Sequence, residues 1–211
     1  DDAADFVEGF SKVRLNGKVG YVNKSGKLVL PAIYEVGNDF SEGLAAVNLD
    51  GKWGFVNKSG QQVIKPQFNA CSNFSEGLCA VESNGNWGYI DGNGAWKIKP
   101  AFDYAHNFTG AVARVQSNKR FSLIDNSGKT ITAKSFDFIS QYNDGFAIIE
   151  TDNKKGLING QGKVIMEPTY TFIGPFKEGF ASVQSNGKWG FISMQGTLDI
   201  PMLYDAVKDF S

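Results

Sequence analysis

A ten-residue segment, GKWGFVNKSG at Gly51–Gly60, recurs at a fixed spacing of 34 residues and limits what this chain can fold into. It reads GKVGYVNKSG at Gly17–Gly26, GNWGYIDGNG at Gly85–Gly94 and GKWGFISMQG at Gly187–Gly196. Weaker copies, KRFSLIDNSG at Lys119–Gly128 and NKKGLINGQG at Asn153–Gly162, fill the gap. A second landmark keeps the same step: Phe6, Phe40, Phe74, Phe108, Tyr142, Phe176 and Phe210. The chain therefore divides into six units, 6–39, 40–73, 74–107, 108–141, 142–175 and 176–209, without insertion or deletion. Length alone suggests one or two domains. Repeats of this kind share a continuous core, so residues 1–211 are expected to form a single repeat domain.

Helical arrays also use periods near 34 residues, so helix has to be excluded. Apolar runs last four to six residues and are rich in Val, Ile, Phe and Tyr. Asn-Gly and Ser-Gly turn signals fall every eight to ten residues, and no segment places apolar residues at i, i+3, i+4, i+7. In the second unit the run Leu44–Val47 leads to the turn Asp50-Gly51, then Trp53–Asn57, the turn Lys58–Gly60 and the run Val63-Ile64. Pro66 is expected to break that run, with Phe68 in a fourth short segment. Each unit thus reads as an antiparallel meander of three strands with a fourth.

Equivalent positions describe the faces of these strands. Val13, Val47, Val81, Val115, Ile149 and Val183 are all β-branched, and Ser11, Ala45, Cys79, Ala113, Ala147 and Ala181 are all small. Phe10, Leu44, Leu78, Val112, Phe146 and Phe180 supply large apolar groups on the other face. Both faces being apolar, each small sheet is expected to lie between two neighbours. Trp53, Trp87 and Trp189 are expected to be buried between units. The glycine beside them (Gly20, Gly54, Gly88, Gly156, Gly190, with Ser122 the departure) would spare a clash with a neighbouring aromatic. Gly26, Gly60, Gly94, Gly128, Gly162 and Gly196 point to a turn requiring positive φ.

The motifs KWGF, NKSG, VIKPQF and FSEGLAAV, in register over essentially the whole chain, resemble the WG (KWG) repeat of bacterial proteins. The chain departs from that pattern at Val19-Gly20, Arg120-Phe121-Ser122 and Lys154-Lys155-Gly156, where the Trp is lost. The resemblance implies a bacterial, often exported, non-enzymatic repeat protein and brings no catalytic residues with it. Sheets buried on both faces suit a six-bladed β-propeller-like ring or an open β-solenoid array, and uniform unit length favours the ring.

Composition narrows the function classes. Net charge is −1, from 21 basic and 22 acidic residues mixed along the chain, which lacks the one-sided basic field of a nucleic-acid binder. No apolar run approaches the roughly 20 residues of a membrane-spanning helix. The start DDAAD reads as a mature end after signal-peptide removal or as an artificial boundary. Cys71 and Cys79 could bridge the Phe74–Gly77 loop, but Cys79 stands at a small core position, which favours two buried free thiols. No ligand set for a metal and no cofactor motif is present.

No unit carries a unique set of nucleophile, base and orienting group, so the chain is expected not to be an enzyme. His106, the only histidine, lies in the loop-like YAHNF and has no acid partner in the local pattern. Glu8, Glu42, Glu76 and Glu178, with Asp144 but Gly110 in the fourth unit, could form a carboxylate ring for cations. The plainer expectation is that they accept backbone N–H groups in their loops. Where the WG motif fails, Lys119, Arg120, Lys154 and Lys155 place four positive charges on neighbouring turns, a candidate contact for an acidic partner or glycan. Trp96 could stack on a sugar or be partly buried against the next unit. The expected function is a non-enzymatic binding or scaffold module, secreted or of the bacterial envelope, monomeric, with a protein or glycan partner and no nucleic acid or membrane insertion. The alternative is a structural spacer.

Overall fold

The computed structural model describes residues 5–143 and 145–208. Asp144 and Phe210, singled out in the sequence, lie outside the described residues. The chain is all-β, with six antiparallel sheets and no helix among the described residues. It separates into two compact units, residues 1–109 with 126–128 and residues 110–125 with 129–211.

The first unit holds a three-stranded sheet of β1 (Phe10–Leu15), β2 (Lys18–Asn23) and β3 (Leu28–Tyr34). A four-stranded sheet follows, of β4 (Val36–Gly37), β5 (Leu44–Leu49), β6 (Lys52–Asn57) and β7 (Gln62–Phe68). The next repeats it with β8 (Ala70–Cys71), β9 (Leu78–Ser83), β10 (Asn86–Asp91) and β11 (Trp96–Phe102), and β12 (Tyr104–Ala105) ends the unit's main segment. The second unit contains the hairpin β13 (Val112–Ser117) and β14 (Arg120–Asp125). Two four-stranded sheets complete it. One comprises β15 (Phe138–Ile139), β16 (Phe146–Thr151), β17 (Lys154–Asn159) and β18 (Val164–Tyr170). The other comprises β19 (Phe172–Ile173), β20 (Phe180–Ser185), β21 (Lys188–Ser193) and β22 (Leu198–Tyr204).

The turns follow the sequence closely. Asp50-Gly51 and Asn84-Gly85 both have positive φ at each residue, the pairing whose twist suits a two-residue hairpin. The Ser-Gly glycines, such as Gly60 at φ 84°, adopt the positive φ expected of them.

The fourth strand is placed differently from the expectation. It does not complete the meander of its own unit but opens the next sheet. Cys71 of β8 stands opposite Val81 of β9, and the flanking amides Asn69 N and Ser72 N donate to Glu82 O at 3.0 Å and Ala80 O at 2.9 Å. Each such repeat is thereby stitched to its successor by main-chain bonds.

Nor does Pro66 break its strand. Trp53 pairs with Phe68 and Phe55 with Ile64, so two steps along β6 face four along β7, and Lys65-Pro66-Gln67 form a bulge. A bulge tolerates proline because its residues leave the ladder. The bulge also explains the glycine of the WG pair, and the neighbour it avoids is backbone rather than an aromatic ring. A Cβ on Gly54 would lie 2.5 Å from Ile64 O and 2.6 Å from Pro66 N. Gly88 meets Ile98 O and Pro100 N at 2.6 and 2.7 Å in the same way. The fourth repeat has Ser122 in place of glycine and Lys134 in place of proline. There the third strand is reduced to isolated bridges, Phe121↔Phe136 and Ile124↔Thr130.

Both sheet faces are covered, as the pattern demanded: Phe55 is 1 % and its neighbour Val56 0 % exposed. The repeating core contact is edge-to-face and joins one repeat to the next. Tyr21 packs on Phe40 at 5.4 Å, Phe55 on Phe74 at 5.0 Å, and Tyr89 on Phe108 at 4.9 Å. Tyr21 and Tyr89 also donate their hydroxyls to Asn38 O at 2.7 Å and His106 O at 2.6 Å. Burial pushes both phenols well above the ordinary tyrosine range. Trp53, Trp87 and Trp189, expected to be buried, are only half-buried. They lie at the hairpin end of each sheet, where Trp87 meets the ring of Tyr104, Trp189 meets that of Phe172 and Trp53 stands opposite Phe68; the residue two positions on takes the buried place.

Candidate functional site

Acidic and hydroxyl groups of the Phe-Ser-Glu-Gly loop link repeats rather than form a cation site. The Glu42-Gly43 pair has positive φ at both residues, which turns their N–H groups outward. Glu8 accepts both, at 2.9 Å from Glu42 N and 3.0 Å from Gly43 N, and Glu42 in turn accepts from Gly77 N at 2.9 Å. The acceptor role expected of these carboxylates holds for Glu8 and Glu42, but the N–H groups belong to the following repeat. Ser41 and Ser75 act alike, donating to Phe74 O and Phe108 O, each at 2.8 Å. Desolvation pushes the Glu8 carboxyl up, yet Lys58 at 3.1 Å and the two amides outweigh it and hold its pKa below the ordinary 4.5. No group of three or more potential metal ligands occurs among the described residues.

The basic positions all belong to the second unit. Lys119 shares the β13–β14 turn with Asn118, both at positive φ, and is exposed. Arg120 pairs with Asp137 and donates to Ser135 O at 2.8 Å. Asp137 also accepts from Asp152 N at 2.8 Å, so one carboxylate draws the two basic turns together. Lys154 and Lys155 begin β17, half-buried, and Lys155 stands directly opposite Glu150. Among the described residues Lys119, Lys154 and Lys155 form no ion pair.

This arrangement follows a rule that sequence reading missed. The base at the start of the second strand meets a residue 17 positions later: Lys18 with Glu35, Lys52 with Asn69, Arg120 with Asp137 and Lys188 with Asp205. Lys154 has Thr171 at that place and Lys52 has Asn69, so the register gives neither of these two bases an acid. A search for charge pairs at a constant offset would have found the rule, and with it Asp137, outside the windows around the lysines.

Trp96, in the first unit, is 38 % exposed, and its ring meets Phe68 at 5.8 Å, edge to face. Its partial burial lies against the preceding strand β7 rather than against the next unit. His106 lies in a loop and packs edge-on against Tyr104 at 4.9 Å. Cys71 and Cys79 are free, and burial pushes the Cys79 thiol up to about 12.

The hairpin ends of the sheets are not uniform. Tyr104, Phe138 and Phe172 occupy equivalent places and are 42 %, 44 % and 40 % exposed, where the other repeats carry Val36, Ala70 and Ala206. Among the described residues these sheet ends carry half-exposed aromatics, amides and single charges.

Antiparallel meander sheets linked by a repeating set of contacts define an all-β repeat protein. The model of the WG-containing repeat matches residues 1–18, 20–53, 53–87, 87–121, 121–154, 156–189 and 189–211, and the chain belongs to that family. No curated protein matches it in sequence. Among solved structures, a eukaryotic initiation factor is similar over 92 % of this chain and 63 % of its own, at 11 % identity and a TM-score of 0.54. Hsv2 of Kluyveromyces lactis is similar over 92 % and 75 %, at 8 % identity and a TM-score of 0.49. PorZ, a bacterial surface component of the type-IX secretion system of Porphyromonas gingivalis, is similar over 92 % and 31 %, at 11 % identity and a TM-score of 0.40.

Proposed function

We propose that this chain is a non-enzymatic binding or scaffold module of a secreted or envelope-associated bacterial protein, recognising a protein or glycan partner. The observation that carries the reading is the uneven hairpin end: exposed Tyr104, Phe138 and Phe172 occur in three successive repeats and not in the others. A spacer has no use for three aromatic rings held half in water at one position of the repeat, because apolar surface left in water costs about 25 cal/mol per Å². The candidate contact in the second unit is the pair of basic turns, with Lys119 and Lys154 supplying the charge that Asp137 leaves uncompensated and Arg120 and Lys155 supporting it. Trp96 is the candidate stacking residue of the first unit.

The test is titration with acidic oligosaccharides and acidic peptides at two ionic strengths, for the native chain and for a variant carrying Lys119→Ser, Arg120→Gln, Lys154→Gln and Lys155→Gln. Binding that weakens with salt and with the four substitutions supports the reading, since the screening length falls from about 10 Å at 0.1 M to about 3 Å at 1 M salt. Affinity unchanged in the variant removes these positions, and no binding of any anionic ligand returns the second unit to a spacer.

A further inference from the structure

The third repeat departs from its neighbours in two independent ways at the same place. First, it has Asn86 where the other repeats have Lys18, Lys52, Arg120, Lys154 and Lys188, so the base at the start of the second strand is replaced by a neutral amide. Second, it combines the tryptophan of the WG pair with an exposed aromatic 17 residues on. Trp87 and Tyr104 lie with ring centroids 4.9 Å apart, tilted by 52°. Trp53 and Trp189 have Ala70 and Ala206 at that offset.

Beside these rings stands Glu82, directly opposite Trp87 across the strand pair. One of its oxygens accepts from Asn69 Nδ2 at 3.0 Å and Gly85 N at 2.6 Å, both neutral donors. Lys52 is bonded to Asn69 rather than to this carboxylate. A half-buried indole, a half-exposed phenol and a carboxylate held by neutral groups are the chemistry that attracts a weakly hydrated organic cation.

We propose that Trp87, Tyr104 and Glu82 form a site for a quaternary ammonium group. The rings supply the negative faces of their quadrupoles to the methyl-covered cation, and Glu82 supplies the compensating charge. A metal ion or a primary ammonium would keep its water and gain little from the rings, whereas a trimethylammonium group is already poorly hydrated. The inference goes beyond the binding reading given above and is independent of the basic turns of the second unit.

The experiment is a calorimetric titration of the full chain with choline chloride, alongside its neutral isostere 3,3-dimethylbutanol. Variants Tyr104→Leu, which alters an exposed side chain, and Glu82→Gln, which removes charge alone, are titrated in parallel. Choline is expected to bind while the isostere does not, and each variant is expected to weaken binding about fivefold. Equal binding of the isostere, no binding of choline to the native chain, or full choline affinity in both variants would overturn the proposal. Choline competing with phosphatidylcholine vesicles for the chain marks a lipid headgroup as the source of the cation, and choline binding without vesicle association marks a free compound. Failure here leaves the anionic-ligand titrations untouched, so the two readings fail separately.

Discussion

The repeating Trp-Gly-Phe/Tyr triplet assigns one task to each of three adjacent residues. Phe55 is fully enclosed against Phe74, Gly54 admits the bulge of β7, and Trp53 half-covers the sheet end. Phe55→Ala should therefore cost about 3–5 kcal/mol, the range for an enclosed aromatic. Trp53→Ala should cost less, about 1–3 kcal/mol, because part of its surface is already in water. Urea melts of the two variants check the order. Gly54→Ala should cost about 1–3 kcal/mol, as its Cβ meets main-chain atoms that cannot rotate away. Ordinary destabilisation by a surface substitution, under about 0.5 kcal/mol, would refute the role given to that glycine. Both thiols should resist an aromatic disulfide reagent at neutral pH until the protein is unfolded, since burial pushes Cys71 as well as Cys79 upward. At this scale the sequence made small, large and turn residues legible by comparison of equivalent positions. It did not show that the Trp would be half-exposed, because periodicity distinguishes the faces of a strand but not how far along it the neighbouring sheet extends.

Elements were legible in number, type and turn chemistry, since the Asn-Gly and Ser-Gly signals recur with the period of the repeat. Their membership of sheets was not, because a two-residue strand such as Ala70–Cys71 pairs only with the repeat that follows. The carboxylate links between loops were equally hidden, as Glu8 reaches amides 34 and 35 residues away. They predict a pH dependence of known sign. The folded pKa of Glu8 is held below its ordinary 4.5, so its contribution is present above that value and is lost as pH falls through the lowered one. Replacing Glu8 with Gln should flatten part of the stability profile in that acidic window while leaving the neutral-to-alkaline side unchanged in slope. A profile of identical shape in thermal melts from neutral to acid pH would count against the link. The fourth repeat shows what happens when the device fails: Ser122 stands where glycine admits the bulge, and the third strand is reduced to two bridges.

For the molecule as a whole, the repeat supplies the frame, and the proposed contacts lie at departures from it. In the first unit the same ring contact recurs from repeat to repeat, while charge and exposed aromatics vary between repeats at the hairpin ends. The basic turns were legible as a run of lysines, but Asp137 was not visible as their neighbour, because it joins them through the register of a segment 17 residues on. The central claim is that successive repeats are stitched by a strand handed forward, and amide hydrogen exchange of a Val81→Ala variant tests it most directly. Val81 is fully buried in β9, the strand that receives β8. Protection of the Asn69 and Ser72 amides, which bond to Glu82 and Ala80, should fall together with that of Cys79–Val81, while Phe55 and Val56 retain theirs. Asn69 and Ser72 keeping the protection of Phe55 and Val56 while β9 loses its own would contradict it.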